Sequence, residues 1–324
     1  MSSATRKPPA VQNSAPDTAR FRAEVLRGLR LPAKELPCKY FYDERGARLF
    51  EEICALDEYY LTRTELAIMR RHVGEMAGRL GPHCLLIEYG SGSGVKTRLL
   101  LDHRPDVAAY VPVDISGEQL AQSAEALAAL YPGLEVLPVC ADFTRRFRLP
   151  RPSYPADRRV LYFPGSTIGN FGPTQATALL RGIGRRCGRG GGLLIGVDLK
   201  KDPAILEPAY NDARGVTAAF NLNLLRRINC ELGADFRLDR YRHHAFYNAE
   251  RGRIEMHLVS LEAQTVRIGR TRIVLAEEES IRTECSYKYG LDEFRALAAG
   301  AGWSVEQVWT DERQLFSVQY LAVA

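Results

Sequence analysis

A glycine-rich segment carries the most specific chemical signal in the chain. It reads Glu88-Tyr-Gly90-Ser-Gly92-Ser-Gly94-Val-Lys96-Thr97 and directly follows a short apolar run. Glycines allow positive φ and let a nucleotide lie against bare backbone, so a strand, glycine loop and helix in succession form a candidate nucleotide-binding turn. Two better-known glycine-rich nucleotide-binding motifs each differ from this segment at one position. A GxGxxG fingerprint and a GxxxxGK[ST] loop that start at Gly90 both need glycine where Val95 stands.

The spacing that fits is ExGxGxG, which is similar to the motif of S-adenosylmethionine-dependent methyltransferases of the Rossmann-like class. Asp114 ends the next strand, 20 residues after Gly94, where a carboxylate can accept both ribose hydroxyls. Asp142-Phe143 ends the third strand, where an acid can read the adenine amino group and an apolar ring can cover the base. Each acid alone could instead be a helix N-cap. Three such features at three successive strand ends favour the cofactor interpretation.

The elements that must position this loop alternate between strand and helix. The predicted strands are Cys84–Tyr89, Ala108–Val113, Glu135–Cys140, Arg159–Phe163 and Leu193–Val197, with helices at Val95–Asp102, Gly117–Leu130 and Pro173–Arg186. Apolar strands separated by helices indicate a parallel sheet buried on both faces, with its ligand crevice at the carboxyl ends of the strands. The sequence therefore predicts an α/β, doubly wound, Rossmann-like class I methyltransferase sheet whose last strand, in the hairpin Trp303–Val323, is antiparallel.

The pattern changes after Lys200 and predicts a second domain. Residues 201–232 look helical, 236–286 look like antiparallel strands and 291–301 look helical again. We predict a discontinuous α+β substrate-binding domain from 20–62 plus 201–286, and a cofactor-binding domain from 63–200 plus 287–324. The Ser/Ala/Pro-rich segment 1–19 is predicted to be a disordered tail. Thr62-Arg-Thr-Glu65 fits a capping box that opens the helix into the sheet domain.

Composition argues against several other classes of protein. The 324 residues include 46% hydrophobic and 26% charged residues, and no apolar run reaches the roughly 18 residues of a membrane span. The seven cysteines are odd in number and never spaced CxxC, which disfavours a disulfide framework and a structural zinc site. The adjacent pair His243-His244 would point to opposite faces of a strand, so we expect no metal. A net charge of +5 without basic tracts interleaved with aromatics gives little support to nucleic-acid binding. We expect a monomeric cytoplasmic protein with no membrane or nucleic-acid partner.

Longer motifs point to one family. They are Lys39-Tyr-Phe-Tyr42-Asp-Glu-Arg-Gly46, Leu49-Phe50-Glu, Leu56-Asp-Glu-Tyr59-Tyr60, Phe163–Phe171 and Arg282-Thr-Glu284-Cys-Ser286-Tyr-Lys288. Together they resemble the histidine Nα-methyltransferase family of ergothioneine biosynthesis, and the resemblance runs from about Leu31 to Val323. It implies trimethylation of the α-amino group of L-histidine to the betaine hercynine, with S-adenosylmethionine as methyl donor.

The resemblance also implies roles for individual residues. Residues that would hold the cofactor are Gly90, Lys96, Asp114, Asp142 and Phe143. Asn170 and Tyr210 would bind the substrate carboxylate, while Tyr59, Glu284 and Ser286 would bind the imidazole. Pocket walls would come from Phe50 and Met256, and the α-amino group would lie near Tyr42, Gly165 and Thr167. Tyr42 and Asn170 are the candidate catalytic residues. The main departures from the family pattern are Tyr89 and Gly94-Val95 in the glycine loop.

Three alternatives stay open at the level of sequence. An enzyme on the same scaffold could methylate another amino acid, for example the α-amine of a tryptophan derivative. Glu284 speaks against this, because the acid would face ring carbon in an indole pocket. A non-enzymatic S-adenosylmethionine-binding module would bind the nucleoside without turnover. A nucleic-acid-binding protein would use its arginine clusters and bind with a steep dependence on salt.

Overall fold

The computed structural model describes residues 9–14, 17–92 and 94–324. Its α-helices are α1 (Thr18–Leu29), α2 (Glu44–Cys54), α3 (Tyr60–Leu80), α4 (Val95–Asp102), α5 (Gly117–Leu130), α6 (Pro173–Cys187), α7 (Pro203–Leu206), α8 (Val216–Leu232) and α9 (Leu291–Gly300). Short 3-10 helices cover Cys38–Phe41, Thr167–Asn170, Pro208–Tyr210 and Leu238–Arg240. In the described part, none of the helices combines the length and apolar character that crossing a membrane requires.

The strands form one large sheet and two small antiparallel ones. They are β1 (Gln12–Ser14), β2 (Cys84–Tyr89), β3 (Ala109–Asp114), β4 (Glu135–Val136), β5 (Val139–Ala141), β6 (Arg158–Phe163), β7 (Gly192–Asp198), β8 (Tyr241–Asn248), β9 (Arg253–Ser260), β10 (Gln264–Ile268), β11 (Thr271–Leu275), β12 (Ser280–Tyr287), β13 (Trp303–Thr310) and β14 (Phe316–Val323). The large sheet has the order β1-β5-β3-β2-β6-β7-β14-β13, and β4 also pairs with β3.

The large sheet has the predicted fold. Strands β1 to β7 pair in parallel, whereas β14 is antiparallel to both β7 and β13. Strand β2 is buried along its whole length, with Leu86 in the core on one face and Leu85 and Ile87 in the core on the other. The prediction of a doubly wound, Rossmann-like sheet with an antiparallel end is therefore confirmed. All parallel strands end at one edge, which places the residues that follow them side by side.

Two local predictions about this sheet are wrong. The single strand expected over Glu135–Cys140 is two short strands, β4 and β5, because Pro138 between them has no N–H to donate to a ladder. The tail expected over 1–19 contains β1, which pairs with β5, and α1 begins within it at Thr18. The rest of that prediction for 1–8 and 15–16 lies outside the described residues.

The residues after the sheet's seventh strand build a second layer of structure beside the crevice. Strands β12, β9 and β8 form an antiparallel sheet, and β10 and β11 form a hairpin. The N-terminal segment packs on α8 from this region: the Phe41 and Phe220 rings stack with centroids 4.5 Å apart, and the Asn223 amide donates to Asp43 Oδ1 at 2.8 Å. These contacts join the two sequence segments assigned to the substrate-binding domain. The domain boundaries themselves stay a prediction.

Candidate active site

A cavity of about 1070 Å³ opens at the carboxyl edge of the large sheet. Its wall combines the glycine loop, the segment before α3, the loop after β6 and strand β12. Twelve of the fifteen residues predicted for the site line it, namely Tyr42, Phe50, Tyr59, Gly90, Lys96, Asp114, Asp142, Phe143, Gly165, Thr167, Asn170 and Glu284. The remaining three, Tyr210, Met256 and Ser286, are buried beside the cavity. The structure thus brings residues from distant parts of the chain to one place.

The glycine loop presents bare backbone to this cavity. Gly90, Gly92 and Gly94 have φ of 72°, 47° and 69°, a region that residues with a Cβ adopt only with strain. A Cβ built on Gly90 or Gly92 would meet no described protein atom within 4 Å, so the space in front of both belongs to the cavity. The buried hydroxyl of Ser91 has no hydrogen-bond partner among the described residues and also lines the cavity. This surface fits a nucleoside that supplies polar groups.

Two acids, Glu88 and Asp114, hold the glycine loop in place. Burial raises the pKa of Glu88 to about 7, and its carboxyl accepts hydrogen bonds from Thr97 Oγ1 at 2.5 Å and from the Tyr110 hydroxyl. Burial also raises the pKa of Asp114, whose oxygens accept from the backbone N–H groups of Ser116 at 3.0 Å and Gly92 at 3.5 Å. Glu88 therefore ties the strand to the following helix, while Asp114 faces the cavity beside the loop.

Asp142 is held by cations from the N-terminal segment. Its Oδ2 accepts from Arg20 at 3.0 Å and Lys39 at 2.9 Å, and its Oδ1 accepts from the Thr144 backbone at 3.0 Å. Burial alone would raise the pKa of Asp142, but the hydrogen bonds from Thr144 and Lys39 outweigh it and lower the pKa. The carboxylate is therefore ionised and fixed as an acceptor at the cavity wall. Lys39 is the first residue of the motif Lys39–Gly46, whereas no local pattern marks Arg20, which lies 122 residues from Asp142 along the chain.

Tyr89, a departure from the family pattern, has a packing role. Its ring is buried and stacks on Phe143 with centroids 4.9 Å apart and an interplanar angle of 11°. The edge of Phe163 packs against Phe143 at 5.6 Å. Tyr89 therefore supports one face of Phe143 and removes no polar group from the loop.

Glu65 joins the glycine-loop helix to the loop after β6. The capping box predicted at Thr62–Glu65 is wrong, because α3 already begins at Tyr60 and Glu65 is fully buried inside it. Its carboxylate accepts from the Gly165 N–H at 3.0 and 3.1 Å and forms an ion pair with Lys96. Gly196 makes room for it, since a Cβ there would lie 2.4 Å from Glu65 Oε1. Glu65 thus bridges Lys96 and Gly165, whereas its local sequence pattern indicated a capping box.

Asn170 ends the 3-10 helix that follows β6. Gly169 brings this helix against β12 so closely that a Cβ would lie 2.8 Å from the Tyr287 carbonyl oxygen. The Asn170 side chain lines the cavity, and in the described part of the chain its amide makes no hydrogen bond to protein. An amide in this state can bind a ligand through its N–H groups and its oxygen.

Glu284 lies on β12 and lines the same cavity as the glycine loop. The ladder shifts by one residue between Arg282 and Glu284, and this bulge puts Glu284 directly opposite Met256 on β9. The half-buried carboxyl lines the cavity and has no hydrogen-bond partner among the residues described here. Burial raises the pKa of Glu284 to about 7, and the charge of Lys288 opposes that shift. An acid in this setting can accept a proton or a hydrogen bond from a bound ligand.

Aromatic rings form the neighbouring wall. The rings of Tyr42 and Phe50 meet edge to face at 5.6 Å, those of Phe50 and Tyr59 at 6.3 Å, and those of Tyr59 and Tyr210 at 6.3 Å. Burial raises the pKa of both Tyr42 and Tyr59 well above the usual range. Their hydroxyls therefore stay protonated at physiological pH.

Behind this wall lies a buried polar cluster in which Lys288 and Asp198, neither of them predicted for the site, join Tyr210 and Ser286. The Lys288 ammonium donates to the Tyr210 hydroxyl and to Ser286 Oγ, both at 2.9 Å, and pairs with Asp198 at 2.6 Å. Lys288 ends the motif Arg282–Lys288, which contributes to the family resemblance, so the sequence contained a signal for Lys288. No sequence motif marks Asp198 at the end of β7. Over the described ranges, no group of three His, Cys, Asp or Glu side chains is arranged to hold a metal ion.

The sheet order, the antiparallel last hairpin and the glycine loop at the cavity define a Rossmann-like methyltransferase. The particular family is given by comparison with known proteins. Residues 21–323 match the model of the family described as histidine-specific, S-adenosylmethionine-dependent methyltransferases, and the chain belongs to this family.

Named relatives agree with this assignment. The chain is 40% identical over 297 residues to a histidine N-alpha-methyltransferase of Mycolicibacterium smegmatis, covering 90% of this chain and 91% of that protein. It is 39% identical over 308 residues to the protein of the same name from Mycobacterium tuberculosis, covering 93% and 94%. It is also 32% identical over 295 residues to ergothioneine biosynthesis protein 1 of Neurospora crassa, covering 86% of this chain and 32% of that longer protein.

Proposed function

We propose that this protein transfers three methyl groups from S-adenosylmethionine to the α-nitrogen of L-histidine and so makes hercynine for ergothioneine biosynthesis. Membership of the histidine-specific family supports the reaction class. The observation that supports histidine as the substrate is the position of Glu284. Its carboxyl faces the same cavity as the glycine loop and has no protein partner among the described residues. A carboxyl in that position pairs with an imidazole N–H, whereas it would face carbon in an indole ring.

The cofactor would lie along the glycine loop. Gly90 and Gly92 offer backbone without side chains, and Asp114 offers a carboxyl beside them for the ribose hydroxyls. Asp142 offers an ionised acceptor next to Phe143 for the adenine. Lys96, paired with Glu65, would attract the carboxylate of the methionine part. When bound, the cofactor supplies an electrophilic methyl group on a sulfonium.

The substrate would be held at its two ends. Glu284 and Tyr59 would bind the imidazole together with Ser286, and Met256 would support that wall from the position opposite Glu284. Asn170 would bind the carboxylate through its neutral amide, with Tyr210 at the same end of the substrate. Each methyl transfer removes one N–H from the amine, so affinity in all three rounds must reside in the ring and carboxylate contacts rather than at the nitrogen.

Catalysis would depend mainly on alignment. The α-nitrogen must be a neutral amine whose lone pair attacks the methyl carbon as the carbon–sulfur bond breaks, and alignment can contribute effective molarities of about 10⁵ M or more. Tyr42, which lines the cavity together with Gly165 and Thr167, would orient the lone pair in the first two rounds by accepting an N–H hydrogen bond; the neutral dimethylated amine of the third round has no N–H, so the ring and carboxylate contacts must align it. The raised pKa of Tyr42 means that its hydroxyl is protonated and is not the base. After the first and second rounds the methylated ammonium would lose a proton to solvent and become a neutral amine again, whereas the quaternary product of the third round has no proton to lose.

Mass spectrometry of the products tests this proposal. Purified protein is incubated with L-histidine and S-adenosylmethionine carrying a deuterated methyl group, beside a panel of other free amino acids that includes tryptophan. We expect three labelled methyl groups on the α-nitrogen of histidine and none on the imidazole. Methylation of tryptophan in preference to histidine, or cofactor binding without turnover on any amine, would contradict the proposal.

A further inference from the structure

The buried cluster behind the substrate wall is built around Lys288, which has 1% of its surface exposed. An ammonium group has three N–H donors and no acceptor. All three donors are used within the protein, by Asp198 Oδ2 at 2.6 Å and by Tyr210 OH and Ser286 Oγ at 2.9 Å each. Lys288 is thus held in one orientation and can bind no ligand itself.

This arrangement limits what the two hydroxyls can do. Tyr210 and Ser286 each accept a hydrogen bond from Lys288, and their oxygens are also 2.9 Å from each other. Of their two hydroxyl protons, one lies between the two oxygens. The other has no acceptor within hydrogen-bond distance in the described part of the protein. The pair therefore has one donor left for a group outside the cluster.

The free donor lies next to the cavity. Tyr210 packs edge to face on Tyr59, which lines the cavity, and Ser286 is two residues from Glu284 on the same strand. A Cβ on Gly169, the residue before Asn170, would lie 3.5 Å from Ser286 Oγ. The two hydroxyls are thus directly behind Tyr59, Asn170 and Glu284.

The charge of the cluster is positive. Asp198 pairs with Lys288 and with Lys201, both at 2.6 Å, so one carboxylate faces two ammonium groups. Burial alone would lower the pKa of Lys288, but the charge of Asp198 raises it above the usual range, so Lys288 stays protonated. Burial and the neighbouring Lys288 lower the pKa of Lys201 to about 8. In a low-dielectric interior this excess charge strengthens a hydroxyl donor and disfavours a cation beside it.

We propose that Lys288 is a positioning residue that makes the Tyr210 and Ser286 pair a single hydrogen-bond donor toward the substrate and so selects an unprotonated ring nitrogen. This inference rests on the proposed function. It adds to it that the bound imidazole is neutral, with one nitrogen donating to Glu284 and the other accepting from the hydroxyl pair. Lys288 acts through these two residues and does not touch the substrate.

A pair of matched variants tests the role of Lys288. Lys288→Met removes the two hydrogen bonds to Tyr210 and Ser286 but leaves Asp198 paired with Lys201 and with the Tyr60 hydroxyl at 2.8 Å. Lys201→Met also removes one ammonium group that pairs with Asp198. It leaves the Tyr210 and Ser286 hydroxyls untouched, because among the described residues Lys201 donates only to Asp198, the Tyr60 hydroxyl and the Leu199 carbonyl. The two variants separate hydrogen-bond direction from charge alone.

The measurement is calorimetric binding of histidine to protein saturated with S-adenosylhomocysteine, which prevents turnover. We expect Lys288→Met to raise the histidine Kd by on the order of tenfold, Lys201→Met to raise it by less than about threefold, and neither to change the Kd of S-adenosylhomocysteine. Equal losses in both variants, or none in Lys288→Met, overturn the inference. Failure of the unmodified protein to bind histidine would instead overturn the proposed function.

A second measurement uses the unmodified protein and needs no variant to fold. Histidine labelled with ¹⁵N in the imidazole ring is bound to the complex with S-adenosylhomocysteine, and the ring nitrogens are observed by NMR at neutral pH. We expect one protonated and one unprotonated nitrogen. Two protonated nitrogens, the signature of imidazolium, would overturn the inference even though histidine binds.

Discussion

Replacing Glu284 with alanine is expected to weaken histidine recognition and to leave the cofactor half of the site intact. The carboxyl faces the cavity without a partner among the described residues, so its hydrogen bond to an imidazole N–H is a contact that only the substrate supplies. A hydrogen bond to a charged group contributes about 1.5–3 kcal/mol, which corresponds to a roughly ten- to one-hundred-fold increase in the histidine KM. Steady-state kinetics with each substrate varied in turn measures this effect.

The control for Glu284→Ala is Glu277→Gln, which removes a negative charge from the exposed turn before β12. It should change neither KM. An unchanged histidine KM in Glu284→Ala would refute the assignment of Glu284 to the imidazole. An equal rise in the KM of S-adenosylmethionine would show instead that the variant disturbs the whole cavity.

The same residue makes a prediction about stability that is independent of turnover. The pKa of Glu284 is about 7 in the folded protein and ordinarily 4.5, so between these values the folded state holds a proton that the unfolded state has lost, and stability falls as pH rises. At about 1.36 kcal/mol per pKa unit, the upper bound of this loss is about 3 kcal/mol. Glu284→Gln does not titrate. We therefore expect the ligand-free variant to have a higher Tm than the unmodified protein at pH 8 and a similar Tm at pH 4.5, by thermal unfolding at both pH values. A constant difference across this range would contradict the raised pKa.

Three further substitutions probe other parts of the site. Gly90→Ala puts a methyl group into the cavity and strains a residue with φ of 72°, so calorimetry should show at least a tenfold loss of S-adenosylhomocysteine affinity. Asn170→Ala should lower kcat/KM for histidine by about tenfold or more while S-adenosylhomocysteine binding persists, and near-normal turnover would remove Asn170 from the substrate site. Glu65→Ala leaves Lys96 and the Gly165 N–H without their partner and should lower the free energy of unfolding by about 3–5 kcal/mol in urea titrations; Glu65→Gln, which keeps an acceptor, should cost clearly less.

The sheet was predictable because its signals are local. Cys84–Tyr89 and Val95–Asp102 have the bounds that their apolar runs and flanking glycines indicate. Strand β1 was missed, since Gln12–Ser14 is short and polar and exists only through pairing with β5 across the fold. Pro138 marks the break between β4 and β5 in the sequence, but the apolar residues on both sides of it have the pattern of one continuous strand.

The site was predictable where a motif marks each residue and not where a contact depends on space. Glu65 has the spacing of a capping box with Thr62, and nothing local reveals that Gly196, 131 residues later, leaves room for it to reach Lys96. Asp198 and Lys288 come together because Leu199, directly after β7, forms an isolated bridge with Tyr289, shortly after β12. Buried charges of this kind are set by topology, which a motif does not report.

The distribution of charge around the cavity follows from the chemistry proposed for it. A cation in direct contact with the substrate carboxylate would bind it more tightly, but it would also be desolvated each time the site empties. Here the ammonium of Lys288 is buried, pairs with Asp198 and acts through two hydroxyls, so it is not exposed to solvent when the site empties. The rings of Tyr42, Phe50 and Tyr59 form a further part of the cavity wall. Uncharged rings stabilise a protonated amine less than a carboxylate does, so the amine can lose its proton and react. A wall with a carboxylate in their place would stabilise the protonated, unreactive amine at every round.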